Sequence, residues 1–345
     1  LERRALPEEA RLADDGYAAG VAHDFLASLV AAGTTSALIF GSHFPGAVDL
    51  LFREAQRVGV RVTSGLVVSD RFLRSDLLTT PENAVEAALR LARTWHGTGR
   101  ARYAVMPRFA LSCSDDMLAS CAAVLAEVPG ALFTSHVNEN LGEIDQVCAS
   151  FGGTYVDSYD RHGLVGRHTV LAHNVHPDDG ELAVLAERDA AVAHCPSSNC
   201  ALGSGIFPMR RHLDHGVRFA LGTDVGAGTS FSLLREGLQA YFVQRVRGPD
   251  GVSLSAADLL YLATAAGADA LDLPDVGDLS VGKRFDAVWL RPRPGSTLDV
   301  ALRHAADTVD ALGRVFALGS AQDVAAVWVD GARVSSRMDG SLPGR

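Results

Sequence analysis

Apolar, strand-like runs alternate with amphipathic helical stretches along nearly the whole chain, which is the pattern of βα units around a parallel sheet. The runs are TTSALIF (34–40), RVTSGLVVS (61–69), RYAVMP (102–107), ALFTSH (131–136), TVLAH (169–173), AAVAHC (190–195) and VRFALGTD (217–224). Between them lie segments such as PENAVEAALRLARTW (81–95), with Pro81 at a first helical position, and SDDMLASCAAVLAEV (114–128), with Ser114 as N-cap. A closed (β/α)₈ barrel needs eight strands. Seven are visible, so a TIM-type barrel lacking its first strand is expected over residues 1–275. After Asp275 the texture changes to short alternating strands with Gly turns, VGDLSVGKRFDAVWL and DVAAVWVDGARVSS. Residues 276–345 are therefore expected to form part of a small β-sandwich, with a helix packing on the barrel.

The 345 residues can bury one large core or two ordinary ones. A formal charge of -10 argues against a backbone-phosphate binder, because nucleic-acid affinity rests on clustered Lys and Arg. A small-molecule substrate fits better. Five cysteines form no CxxC pair or regular framework, which suits reduced thiols and a cytoplasmic setting. No apolar run approaches the roughly 20 residues of a membrane span. The first residues, LERRALPEEARLADD, are charged, have no signal-peptide pattern and lack Met, and suggest a start inside a longer reading frame.

In parallel barrels the reacting groups sit at the C-terminal ends of strands. Several runs here end in polar, metal-capable residues: Arg108 and Phe109 after MPRF, His136 and Glu139 in TSHVNE, His173 and His176 in LAHNVH, His194 in AHCPSSN, and Asp224 in LGTDVGAG. Histidines with an aspartate on one rim are ligands of the kind zinc takes. Each residue alone has a plainer reading. Asp224 could cap the following helix, Arg108 could form a structural ion pair, Phe109 could be core, and His194 could belong to a turn. Four strands placing an ionisable group at the same end strain that reading.

The ordered segments SHVNEN, VLAHNVH, AVAHCPSSN and LGTDVGAGTSFSLL, preceded by PRFALSCS, resemble the amidohydrolase superfamily, and within it the aminohydrolases that act on guanine. The resemblance covers nearly the whole chain. It implies zinc as cofactor, one per chain, with His136 and Asp224 as ligands. Asp224 would also accept a proton from the attacking water, and Glu139 would shuttle a proton to a ring nitrogen. His173 would hydrogen-bond the water or the substrate. Arg108 would reach a purine carbonyl and Phe109 would pack on the ring, with His136 and His173 bordering the substrate too. The implied reaction is hydrolytic deamination of guanine to xanthine and ammonia, in a homodimer.

One departure stands out. The family's paired HxH, which supplies two further zinc ligands at the end of the first barrel strand, is not found in these 345 residues. His23 and His43 belong to no such pair. The piece is expected immediately upstream, which accounts for the seven strands and the missing Met together. The alternatives are another purine, pterin or triazine aminohydrolase, or a metal-free binding protein without catalysis.

Overall fold

A computed structural model describes residues 3–336. The chain forms two compact units, Leu1–Leu26 with Ser36–Ala191, and Ala27–Thr35 with Val192–Arg345.

The first unit carries strands β1 (Ser36–Leu38), β2 (Arg61–Ser64), β3 (Val67–Val68), β4 (Ala101–Pro107), β5 (Leu132–Val137) and β6 (Thr169–His173). All pair in parallel, in the order β1-β2-β4-β5-β6 with β3 beside β4. Parallel strands covered by helices read as continuous apolar runs, and β4 is buried at every position except Arg102. The helices begin where the sequence places them. Pro81–Trp95 has Pro at its first turn and Thr80 as N-cap, accepting from Asn83 N, and Asp115–Glu127 is capped by Ser114, accepting from Met117 N. Trp95 stacks on Phe52 with centroids 5.5 Å apart and donates from Nε1 to Asp49 at 3.0 Å, so its ring is buried with its one polar atom satisfied.

The run 61–69, expected as one strand, is split in two at Gly65. A Cβ on Gly65 would lie 1.8 Å from Ala104 O, and one on Gly41 would lie 2.0 Å from Gly65 O. Only residues without a side chain let these backbones approach so closely, and the strand breaks there.

The second unit carries β7 (Ala191–His194) and, next to it, β8 (Arg218–Leu221), with Gly222 N donating to His194 O at 2.8 Å just past the strand ends. It also holds an antiparallel sheet in the order β11-β10-β9, from β9 (Ala287–Leu290), β10 (Val324–Val329) and β11 (Ala332–Ser336). These are the strands expected after Asp275. Alternation is weak in β10, the middle strand, where Trp328 alone is not fully buried. Between β9 and β10 lie helices Thr297–Arg303 and Thr308–Leu318, capped by Ser296 and Asp307.

His212, fully buried, has its ring 4.1 Å from that of Phe207 and 6.2 Å from that of Phe219, and its Nδ1 donates to Pro208 O at 3.0 Å. Burial pulls its pKa down to about 4, against a smaller opposing pull from the Pro208 carbonyl. The unfolded chain then binds the proton more tightly than the folded one, so this contribution to stability is whole above about pH 6.5 and is lost as pH falls toward 4. Urea midpoints at pH 7 and 4.5 check this: a His212→Leu protein is expected to lose less between the two than the parent does. An equal loss would place the acid sensitivity elsewhere.

Candidate active site

Five of the residues picked out in the sequence converge at the C-terminal ends of β4, β5 and β6 in the first unit. His136, near the end of β5, donates from Nδ1 to the Arg108 carbonyl at 2.6 Å and stacks beside His173 with centroids 5.3 Å apart. Phe40 and Phe109 meet its ring edge-on at 4.9 and 6.4 Å. The carbonyl fixes the tautomer and leaves Nε2 as the nitrogen with the lone pair. Burial, with His173 alongside, holds the ring well below the ordinary imidazole range, at about 4, so it is neutral at pH 7. A neutral imidazole oriented through its other nitrogen is the form in which histidine binds a metal.

Glu139 stands three residues on, its Oε2 3.7 Å from His173 Nε2. The chain reaches this arrangement through left-handed backbone at three non-glycine residues, Asn138 (φ 50°), His173 (φ 75°) and Asn174 (φ 46°). Such conformations cost on the order of 1 kcal/mol or more each and persist where the surroundings hold them, often at functional sites. Part of that support comes from Tyr159, wholly buried, whose hydroxyl donates to His136 O at 2.9 Å and lies 2.8 Å from Ser135 Oγ, which in turn donates to Pro107 O.

Arg108 forms the ion pair that its sequence left open. Its Nη1 donates to Glu9, whose Oε2 also lies 3.7 Å from His43 Nδ1, and its guanidinium carbon is 6.0 Å from the Phe109 ring centroid. His43 is nearly buried and its pKa is pulled down to about 3, first by burial and then by the Arg108 charge.

Asp224 belongs to the second unit. It too is left-handed (φ 45°), and its Oδ2 accepts from Ser198 Oγ at 2.6 Å. It does not cap the helix Leu233–Val246, whose N-cap is Ser232. The neighbouring Ser197 binds the buried Glu236 through both its amide (3.0 Å) and its hydroxyl (2.7 Å), which fixes the first turn of the helix Pro196–Leu202 that carries Ser198. His194 stacks on Phe207 at 4.4 Å and lies in the aromatic core of this unit. Among the described residues, no three His, Cys, Asp or Glu side chains gather closely enough to hold a metal ion. None of the five cysteines is in a disulfide, and no described helix is long and apolar enough to cross a membrane.

No motif in the sequence singles out Glu9, Tyr159 or Ser198. Their partners lie tens of residues away, Arg108 being 99 positions from Glu9, and no local spacing signals such a pair.

Parallel strands with surrounding helices and a small antiparallel sheet are the architecture of a TIM-type α/β fold, here that of a hydrolase. The chain belongs to the Amidohydrolase family, whose description matches residues 2–334. It is 57% identical over 340 residues to a probable guanine deaminase of Deinococcus radiodurans, covering 98% of this chain and 77% of that protein. The solved structure of E. coli guanine deaminase superposes with a TM-score of 0.94 at 34% identity, covering 97% of this chain and 79% of the other. Guanine deaminase from C. acetobutylicum, solved with bound guanine in the active site, gives 0.90 at 25% identity, covering 96% and 79%.

Proposed function

We propose that the protein is a zinc-dependent guanine deaminase that converts guanine and water to xanthine and ammonia. The observation that carries this reading is the 57% identity to the Deinococcus radiodurans relative across 98% of the chain. The barrel is assigned to residues 1–275 and the sandwich part with its helices to 276–345, of which 1–2 and 337–345 lie outside the described residues; among the described residues the three late strands pair with one another, which supports the division. A cytoplasmic setting is proposed for it, in keeping with five cysteines outside any disulfide, and a homodimer as its assembly.

His136 and Asp224 would hold the zinc, and the neutral, carbonyl-oriented imidazole of His136 suits that role. Bound zinc lowers the pKa of water toward 7 and so supplies a nucleophile at neutral pH. Asp224 would accept a proton from the attacking water. Glu139, beside His173, would carry one of the water's two protons to a ring nitrogen and the other to the amino group as it leaves as ammonia, so that both delivered protons come from the water and both carboxylates end as they began. His173 would hydrogen-bond the water or the substrate. Arg108 donates to the purine carbonyl, Phe109 packs on the ring, and His136 and His173 border the substrate.

The test is ammonia release and loss of ultraviolet absorbance with guanine, with adenine, a pterin and an amino-triazine in parallel, and elemental analysis for about one zinc per chain. Guanine is expected to be turned over best. Turnover of another of these without guanine would overturn the substrate, and purine binding without turnover or zinc would make the protein a binder.

Specificity is assigned to Arg108, because a site built to hydrogen-bond a carbonyl rejects analogues that lack it. Arg108→Ala is expected to lower the guanine-over-adenine ratio of kcat/KM at least about tenfold. An unchanged ratio would move recognition elsewhere.

A further inference from the structure

Glu181 is only 5% exposed and lies outside the set of groups given a chemical role. It sits at the third position of the helix Asp179–Glu187 and closes a capping box, accepting from Asp178 N at 3.0 Å while its own amide donates to Asp178 Oδ1 at 2.7 Å. In a capping box the glutamate's task is to satisfy the N-cap amide. Here the same carboxylate also accepts from Asn138 Nδ2 at 2.9 Å and from Val156 N at 3.0 Å.

Asn138 is the residue before Glu139. Its Nδ2 also donates to Asn174 Oδ1 at 3.0 Å, and Asn174 is the residue after His173. Its carbonyl accepts from Val175 N and His176 N, each at 3.0 Å. One buried carboxylate thus ties together the loops that follow β5 and β6, at the point where Asn138, His173 and Asn174 are all left-handed. None of the three is glycine, so the conformation has to be held from outside, and a charged acceptor makes hydrogen bonds roughly twice as strong as a neutral one.

We infer that Glu181 is a positioning residue for the deamination: through Asn138 and Asn174 it holds the two strand-end loops in the conformation that sets Glu139 against His173. The inference rests on the roles assigned to Glu139 and His173 above.

In the full-length protein, Glu181→Gln turns one acceptor oxygen into a donor, so an N–H would face an N–H in the buried cluster. The expected result is a kcat for guanine lower by about tenfold or more, the scale on which groups that orient catalytic ligands act. KM is expected to stay within about twofold, since Arg108 and Phe109 are untouched. Asn138→Gly keeps the left-handed backbone without strain and cuts only the side-chain tie, so it decides the matter even where Glu181→Gln fails to fold. It is expected to reproduce the loss in kcat, and the double variant to lose no more than either single one. A cap with a purely structural role predicts a lower melting temperature with the kcat of the folded protein intact. That result, a parent-like kcat in Asn138→Gly, or additive losses would each overturn the tie. A parent protein inactive on guanine would instead overturn the function, and this inference with it.

Discussion

Glu139→Gln in the full-length protein is expected to lower kcat for guanine at least a hundredfold while zinc content and KM stay near those of the parent, a hundredfold being the ordinary scale for losing a general acid–base group. Glutamine has the same shape and can keep a hydrogen bond, so the loop after β5 keeps its place. What it cannot do is take a proton and release it. The proposed reaction needs that twice, once at the ring nitrogen and once at the departing amine. The carboxylate is placed for the task by its neighbour, with His173 Nε2 3.7 Å away. Steady-state rates with elemental analysis check the expectation. A nearly normal rate would hand the proton transfer to another group, and a loss of zinc would make Glu139 a ligand.

Gly65→Ala is expected to cost more than about 4 kcal/mol, the range reached only by severe packing faults, and to leave little soluble protein. The new methyl would meet Ala104 O at 1.8 Å and Ala104 C at 3.0 Å, with the Tyr103 ring at 3.2 Å. The first two are backbone atoms of β4, so nothing can swing aside and the sheet itself would have to open. Gly97 is the control. It has a left-handed φ of 77° but open space around a would-be Cβ, so Gly97→Ala should cost only the conformational strain, about 1–2 kcal/mol. Urea midpoints of both variants against the parent measure the contrast. A Gly65→Ala protein as stable as Gly97→Ala would mean that the strands lie farther apart than described.

The barrel strands were legible because a parallel strand covered on both faces leaves a run of consecutive apolar residues, and all seven runs contain a strand. The break at Gly65 was not, since a glycine in such a run looks the same whether it bends the strand or merely admits a neighbour. The expectation of one helix without bounds after Asp275 meets two, Thr297–Arg303 and Thr308–Leu318, whose starts are readable in Ser296 before Asp299 and Asp307 before Asp310 but stand amid strand texture. At the site, the residues that bear the proposed chemistry stand out because a polar group at the tip of an apolar strand is conspicuous. Those that hold them in place do not. Glu181 reads as an ordinary helix cap from Asp178 and itself, and its second partner, Asn138, is 43 residues away. Glu9 sits in a charged, helical opening stretch where a glutamate draws no notice.

The shared tie behind the strand ends also bears on how this part of the molecule opens. The amides of Val156 and Asp178 end on the Glu181 carboxylate, those of Val175 and His176 on the Asn138 carbonyl, and that of Asn174 on Val137 O. Five amide protons, one at residue 156 and four within 174–178, are therefore shielded by one cluster. Amides released by a single opening exchange with solvent deuterium at a common free energy. In hydrogen exchange these five should act as one unit, although Val156 belongs to the helix Tyr155–Asp160 and the other four to the loop that ends at the N-cap Asp178, which sequence alone would rank among the first segments to fray.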